Sequence, residues 1–340
     1  LYGELLVKTC CQLGTDYCDL TGEPQWIRRM INRYEDDAKR SGARIVNCCG
    51  FDSMPSDLGV KFLQDHALRE FGSYCDAVKL RVKTLRGGAS GGTIASALNL
   101  YKEASTDPGI RKEMRDPYSL CPVEHTFAAR QHNVSVEFDE DFDSWAGPFI
   151  MASINTRVVL RSNALLDGHY HENFKYDEAM LTSVGKKGEK AAKRISTGTK
   201  VSMFMMAFSL MRWLATRLFL PSPGEGPTPE QQLKGCYDLR LLGRTPRGES
   251  VSVKVSGDRD PGYGSTAKML AQAGISLRRD VDESEVGGGF WTPATVFNDK
   301  LITRLIDHAG MGFELESLSP VMAKIDKSTV FAVDEPVSLS

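Results

Sequence analysis

The sequence predicts an α/β protein: the C-terminal part of an open parallel sheet, followed by an α/β domain with a mixed or antiparallel sheet. Three observations predict it. From Gly3 to Phe71 the apolar pattern alternates helix, strand, helix, strand, helix, which is the grammar of a parallel sheet. Both strand-like runs stop at a polar turn with a glycine and an acid, Asp19-Leu20-Thr21-Gly22-Glu23 and Gly50-Phe51-Asp52-Ser53. Beyond Gly72 the pattern changes to half-buried strands, with Val78, Leu80 and Val82 alternating against Lys79, Arg81 and Lys83.

At 340 residues the chain is long for one domain and sufficient for two. The change after Gly72 divides it into 1–73 and 74–320, with 321–340 as a tail of weak structural signal. Hydrophobic content of 41% beside 25% charged residues suits a globular chain with a buried core. A formal net charge of -2 supplies no basic field, so no nucleic-acid partner is expected. The eight cysteines include the adjacent pairs Cys10-Cys11 and Cys48-Cys49, but no C-x-x-C and no zinc spacing. They read as reduced core thiols of an intracellular protein. The start, Leu1-Tyr2-Gly3-Glu4-Leu5-Leu6-Val7, lacks the basic lead and long apolar run of a signal peptide. It also lacks an initiating Met, and the expectation is of a chain cut from something longer.

Residues 3–13 place Leu5, Leu6, Val7, Cys10 and Leu13 on a helical period closed by Gly14. Asp16 to Leu20 is a short strand. Pro24 to Ser41 is an amphipathic helix with Trp26, Ile27, Met30, Ile31 and Tyr34 inward, ended by Gly42. Ala43-Arg44-Ile45-Val46-Asn47 enters the core as a strand. A helix follows from Leu58 to Phe71, with Ser53 as N-cap and Pro55 in its first turn, where a missing N–H costs little. In open α/β sheets ligands bind where strands end and helices begin, beside orphan N–H groups and the positive dipole end. The turns holding Gly22, Glu23, Gly50, Phe51, Asp52 and Ser53 are therefore candidate ligand-facing turns, against the plainer reading of a well-capped helix.

In the second domain, Arg86-Gly87-Gly88-Ala89-Ser90-Gly91-Gly92-Thr93 leads from a strand into a helix from Ile94 to Ala104. Such a turn brings backbone N–H groups close to an anion, or is only flexible. Residues 105–145 are polar and turn-rich, a long surface excursion or lid. Their acidic run, Glu137, Asp139, Glu140, Asp141 and Asp143, fits no calcium-loop spacing, and a solvated loop is expected. Gly147 to Leu160 returns to apolar character around Asn155-Thr156-Arg157, and Phe174 to Met180 is a strand.

A basic stretch, Lys186, Lys187, Lys190, Lys193, Arg194 and Lys200, precedes an almost wholly apolar run from Val201 to Leu220. Arg212 and Arg217 disfavour a full membrane span. The preferred reading of 186–220 is an interfacial helix drawn to an anionic membrane surface. The alternative is burial in the protein or in a homodimer interface.

Pro221 to Pro229 is a break. Gly235 to Arg244 and Ser250 to Ser256 flank Thr245-Pro246-Arg247-Gly248-Glu249 as a hairpin. Asp260-Pro261-Gly262-Tyr263 is a turn, and Ser265 to Ala273 a helix capped by Gly274. Thr292 and Pro293 open a final helix, 293–308, that packs back on the first domain, and Phe313 to Leu318 is a last strand. No Ser-His-acid set and no H-E-x-x-H stand out, so no catalytic residue is singled out. The six histidines are scattered; His169 and His171, on one face of a short strand, are too few for a metal site.

Tyr2-Gly3-Glu4, Gly14-Thr15-Asp16-Tyr17-Cys18-Asp19-Leu20-Thr21-Gly22-Glu23 and Gly50-Phe51-Asp52-Ser53-Met54-Pro55-Ser56-Asp57-Leu58-Gly59 resemble the saccharopine dehydrogenase-like oxidoreductases. The resemblance is to the branch with bacterial trans-acting enoyl reductases and eukaryotic saccharopine dehydrogenase-like proteins of lipid droplets and membranes. Ser90-Gly91-Gly92-Thr93, Asn155-Thr156-Arg157, Pro223-Gly224-Glu225-Gly226-Pro227, Asp260-Pro261-Gly262-Tyr263 and Thr292-Pro293-Ala294 fit the same branch, so it spans nearly the whole chain.

The resemblance implies a Rossmann-type parallel sheet binding NADP(H) or NAD(H), then an α/β domain whose sheet shapes substrate and dimer surfaces. It implies reduction of a C=C or C=N bond in a hydrophobic small-molecule or lipid substrate. It further implies that Gly22, Glu23, Gly50, Phe51, Asp52 and Ser53 lie on the cofactor side, with the 50–53 turn near the nicotinamide. Ser90, Gly91, Gly92 and Thr93 would begin the substrate-facing helix. The family's Gly-rich phosphate loop has no counterpart in this sequence, and the chain as given is expected to bind NADP(H) poorly or not at all. A non-catalytic protein that keeps the fold on a membrane or lipid droplet is the alternative function.

Overall fold

The computed structural model of the chain describes residues 3–87, 91–208 and 226–320. It opens with α1 (Gly3–Leu13), β1 (Tyr17–Cys18), α2 (Pro24–Ser41), β2 (Arg44–Val46) and α3 (Met54–Phe71). Both α2 and α3 carry proline in the first turn. Both stop at a left-handed glycine, Gly42 at φ 85° and Gly72 at φ 62°, whose N–H closes the last turn on Ala38 O and Leu68 O. Next come β3 (Ala77–Arg86), α4 (Gly91–Thr106), α5 (Pro108–Glu113), β4 (Glu137–Asp139), β5 (Ser144–Pro148), α6 (Ala152–Leu165), β6 (Lys175–Leu181) and α7 (Gly185–Ala207). The last stretch holds α8 (Pro229–Lys234), β7 (Cys236–Arg244), β8 (Ser250–Gly257) and a π-helical turn at Pro261–Ser265. It closes with α9 (Thr266–Arg279), β9 (Gly289–Trp291), α10 (Pro293–Ala309) and β10 (Met311–Ser319).

Strands β1, β2 and β9 form a parallel sheet in that order, with Tyr17 opposite Ile45 and Ile45 opposite Phe290. The other seven form a mixed sheet, β10-β8-β7-β3-β6-β5-β4, in which β3 and β6 run parallel and the other neighbours antiparallel. The expected α/β architecture, a parallel sheet and a mixed sheet, is present. Residues 1–73 do not hold the whole parallel sheet, because its third strand returns from 289–291. The helix after that strand, α10, lies against α3 and α9.

Helix α3 ties the sheets together. The sequence pattern gives it one apolar face, yet its first turns are buried all round, from Met54 to Val60. Its far side meets β7 and β8, where Gly59 brings the helix backbone against Leu241 and Val255. One apolar cluster runs from Val46, Phe51 and Leu58 through Leu80, Leu241 and Val253 to Phe297 and Leu305. Leu58, Leu63 and Leu241 are fully buried, each worth about 1.5–3 kcal/mol, so the two sheets share one core through α3. A second cluster, with Val7, Cys11, Ile27, Met30, Ile45 and Phe290, lies beneath α1 and α2. The eight cysteines are all free thiols, six of them buried.

Several expectations are corrected. The acidic run is a solvated loop only in part: Glu140, Asp141 and Asp143 are exposed, while Glu137–Asp139 is a strand. Asp139 is buried and accepts from Arg81 Nε at 2.6 Å, because Arg81, buried in the central strand β3, needs a counter-charge there. Asp141 binds Lys79 at 2.6 Å and also Arg244. Gly274 is inside α9 rather than at its end: the buried stripe Met269, Ala273, Ser276 and Leu277 carries the helix on to Arg279. His169 and His171 lie in the turn after α6, not on a strand; His171 has φ 81° and His169 stacks on Tyr74.

Helix α7 packs on β5 through Ala192. The basic residues from Lys186 to Lys200 are exposed, as are Val201, Met203, Phe204 and Phe208 after them. Residues 209–220 of the apolar run, and the tail 321–340, lie outside the described residues. Among the described residues no helix is long and apolar enough to cross a membrane.

Candidate active site

The C-terminal ends of β1 and β2 open side by side into the two polar turns. Asp19 fixes the first. Its carboxylate accepts from Thr21 N at 3.1 Å, Thr21 Oγ1 at 3.0 Å, Asn47 Nδ2 at 3.0 Å and the Tyr17 hydroxyl at 3.2 Å. Burial raises its pKa, and the Thr21, Asn47 and Tyr17 donors oppose the rise. The second turn reverses at Cys48, which sits at φ 63° and donates its thiol to Thr21 O at 3.0 Å. That conformation is strained for a residue with a side chain, and the thiol contact helps hold the two turns together. Burial pushes the Cys48 thiol far up, so it is a packed thiol and no nucleophile.

Gly22 and Asp52 meet across the gap between the turns. A Cβ at Gly22 would stand 3.1 Å from Asp52 Oδ2. Gly50 is as tight, 3.1 Å from Leu20 Cβ on one side and 3.1 Å from Thr266 Cγ2 on the other. Thr266 Oγ1 accepts the Phe51 N–H at 3.0 Å and donates to Pro261 O at 2.8 Å. The π-helical turn is thereby pinned against the 50–53 turn. Asp260, fully buried, shapes it by accepting from Tyr263 N at 3.0 Å and Gly264 N at 2.8 Å. Its other flank carries the end of β3, where a Cβ on Gly87 would stand 2.6 Å from Pro261 Cδ. A π-helical turn is rare and tends to mark functional sites; here it bridges the end of the parallel sheet and the strand leading to α4.

Asp52 is the group with chemical potential at this place. Its side chain is half-buried and accepts no hydrogen bond among the described residues. Burial alone pushes its pKa up to about 6, so near neutrality it can hold or release a proton. In the first turn of α2, Gln25 Oε1 is buried without a partner among the described residues.

Beneath the turn runs a buried polar network. Ser53 precedes α3 but does not cap it with its side chain; its hydroxyl donates to Asn155 Oδ1 at 3.0 Å. The Asn155 amide donates to Ser56 Oγ at 3.2 Å and to Glu178 Oε2 at 2.8 Å, and Glu178 also receives the Tyr176 hydroxyl at 2.5 Å. Asp57 accepts from Ala294 N at 2.8 Å and from the Ser162 hydroxyl, which touches Thr292 Oγ1 at 2.6 Å. Burial raises the pKa of both carboxyl groups, Asp57 to about 7. The network joins α3 to α6, to β6 of the mixed sheet and to the start of α10.

The structure brings Gly22, Glu23, Gly50, Phe51, Asp52 and Ser53 into one region, with different exposures. Asp52 is half-open. Glu23 stands at the start of α2 without a side-chain cap. The Phe51 ring is buried edge-on against Tyr237, with centroids 4.8 Å apart, so it is a wall of the core. Gly91, Gly92 and Thr93 form the first turn of α4, while Ser90 lies outside the described residues. Asp57, Asn155, Glu178, Asp260 and Thr266 were not foreseen as parts of this region. The available signal was polarity inside apolar helix patterns, at Asp57 and Asn155. Among the described residues no group of three His, Cys, Asp or Glu could hold a metal.

No protein-family model matches the chain. It is 38% identical over 319 residues to a putative trans-acting enoyl reductase of Mycobacterium tuberculosis, covering 89% of this chain and 75% of that protein. It is 34% identical over 322 residues to a trans-acting enoyl reductase of Mycobacterium bovis, and 33% identical over 316 residues to one of Mycobacterium ulcerans. Both alignments again cover 89% of this chain and 75% of the relative. Among solved structures, apo saccharopine dehydrogenase (L-Glu forming) from Saccharomyces cerevisiae aligns with a TM-score of 0.44 at 11% identity, covering 92% of this chain and 82% of that chain.

Proposed function

The chain belongs to the saccharopine dehydrogenase-like oxidoreductases, with the trans-acting enoyl reductases, and from that premise we propose that it reduces a carbon–carbon double bond of a hydrophobic, lipid-like substrate with NADP(H). The observation that carries this reading is the Asp52 carboxyl, half-buried and without a hydrogen bond among the described residues, at the C-terminal edge of parallel strands.

The reactive end of a nicotinamide cofactor would be held beside the half-open Asp52. Gly22 and Gly50 face Asp52, Leu20 and Thr266, so they let the turns pack on one another and form no cradle of their own. Neither strand-to-helix turn described on this sheet has G-x-G-x-x-G spacing, so neither is a pyrophosphate cradle. When bound, the cofactor supplies the hydride. Reduction of a C=C bond also needs a proton on the neighbouring carbon, and Asp52 is the group placed to hold it. Asp19, locked by its four donors, keeps the first turn in shape. The Ser53–Asn155–Glu178 network fixes the second turn on α6.

The test is single-turnover reduction of a long-chain trans-enoyl thioester by the full-length protein in D2O, with the cofactor deuterated at its transferable position. The expected product carries one deuterium from the cofactor and one from solvent on adjacent carbons. Reduction of an imine substrate, with no reduction of the enoyl thioester, contradicts the reading.

A non-catalytic lipid-surface role is the second reading, favoured by α7. Its exposed basic first half is followed by exposed Val201, Met203, Phe204 and Phe208. Cations flanking apolar side chains match an anionic lipid surface. Co-flotation with vesicles containing anionic lipid, lost in Phe204→Glu/Phe208→Glu, supports it; flotation unchanged by that double substitution contradicts it.

A further inference from the structure

The 105–145 excursion encloses a cavity that the Asp52 region does not use. Its volume is about 510 Å³, in the space between residues 114–133 and the first turns of α6. That size suits a small-molecule ligand. Helix α6 separates it from the polar turns: Asn155 faces Ser53 and Ser56, while Ser153, Thr156 and Arg157 line the cavity.

Its walls are cationic and aromatic. Arg157 is 6% exposed, and its guanidinium donates to Ser119 Oγ at 3.1 Å, Met114 O at 2.6 Å, Glu113 O at 3.4 Å and Ser153 O. All four acceptors are neutral, so no carboxylate bonds to this buried guanidinium; Asp116 acts on it only through space and offsets part of its charge. A buried cation without a counter-ion is costly, and its field extends into the space beside it. Arg115 and Arg130 line the same cavity, are exposed, and form no ion pair among the described residues. That carboxylate, Asp116, accepts from Tyr118 N at 2.9 Å and makes no ion pair with Arg115 or Arg130 among the described residues. The Tyr118 hydroxyl donates to Ala129 O and accepts from Gln131 Nε2, both at 2.8 Å, which locks its ring in the wall 6.2 Å from that of Phe127.

We propose that this cavity binds a small molecule with an oxyanion head, carboxylate or phosphate monoester, on an aromatic or short apolar body. Guanidinium groups recognise both anions through paired N–H donors. The body lies against Tyr118 and Phe127.

Isothermal titration of the full-length protein with phenyl phosphate, phenylacetate and benzyl alcohol tests this. Saturable binding of either anion, with benzyl alcohol weaker by about tenfold or more, supports the site, and the tighter anion names the head group. The double variant Arg115→Gln/Arg130→Gln, at exposed positions without ion pairs among the described residues, should weaken anion binding about tenfold with the melting temperature unchanged. No saturable binding of either anion, or equal binding by the double variant, overturns it.

Discussion

The Ser53 hydroxyl donates to Asn155 Oδ1 at 3.0 Å, and this bond fastens the turn after β2 to the helix that crosses to the mixed sheet. Asn155 then spends its amide on Ser56 and Glu178. Replacing Asn155 with Leu strands the buried Ser53 hydroxyl and removes one of the donors that hold the Glu178 carboxyl, leaving Tyr176 and Ser56. The expected cost is about 3 kcal/mol of stability, read from the urea midpoint. A loss below about 1 kcal/mol would show that the network does not join the two sheets energetically.

Asp57 gives a pH dependence with a definite sign. Its folded pKa is pushed up to about 7 by burial, against about 3.9 for an ordinary aspartate. Between those values the folded protein holds a proton that the unfolded chain has released. Stability from this group is therefore complete below about pH 4 and declines as pH rises through about 7, by about 4 kcal/mol in all. Glu178 and Asp52 are raised in the same direction and add to the slope. Asp57→Asn keeps an acceptor for Ala294 N and a partner for the Ser162 hydroxyl while removing the titration. Denaturation between about pH 5 and about pH 8 should show a clearly shallower decline in the variant; an unchanged slope places the titration elsewhere.

Arg81 and Asp139 are both almost fully buried, and their 2.6 Å contact is reinforced by Asp177 on the other side of the guanidinium. Asp139→Ala leaves that cation half-compensated in the middle of the mixed sheet. Thermal and urea denaturation should show a loss of about 3 kcal/mol, towards the lower end for breaking a buried pair because Asp177 remains.

Much of the frame was legible in the sequence because its signals are local. The period of Trp26, Ile27, Met30 and Ile31, with Pro24 and Gly42 as punctuation, fixes α2 without tertiary help. The β7–β8 hairpin is equally plain, since Tyr237, Leu239 and Leu241 alternate with polar neighbours. What escaped depends on distant partners. Ser53 has the spacing of an N-cap, but Asn155, about a hundred residues away, offers a better-placed buried acceptor. The acidic run looks solvated until Arg81 is found buried beside Asp139. Asp260-Pro261-Gly262-Tyr263 reads as a turn, and nothing local says that it will lie against Phe51 and Gly87. The candidate site was thus visible as two turns, and invisible as the third turn that braces them.

Asp52 carries the central claim, and its replacement is the most direct measurement. The pH dependence of kcat/KM for NADPH-driven enoyl reduction is compared between the full-length protein and Asp52→Asn. The wild type should lose activity as pH rises through about 6, because the protonated acid is the active form. The variant should melt no lower than the wild type, lose about 100-fold or more in kcat/KM, and lose that pH limb. A variant with wild-type rate and an unchanged pH profile would contradict the account.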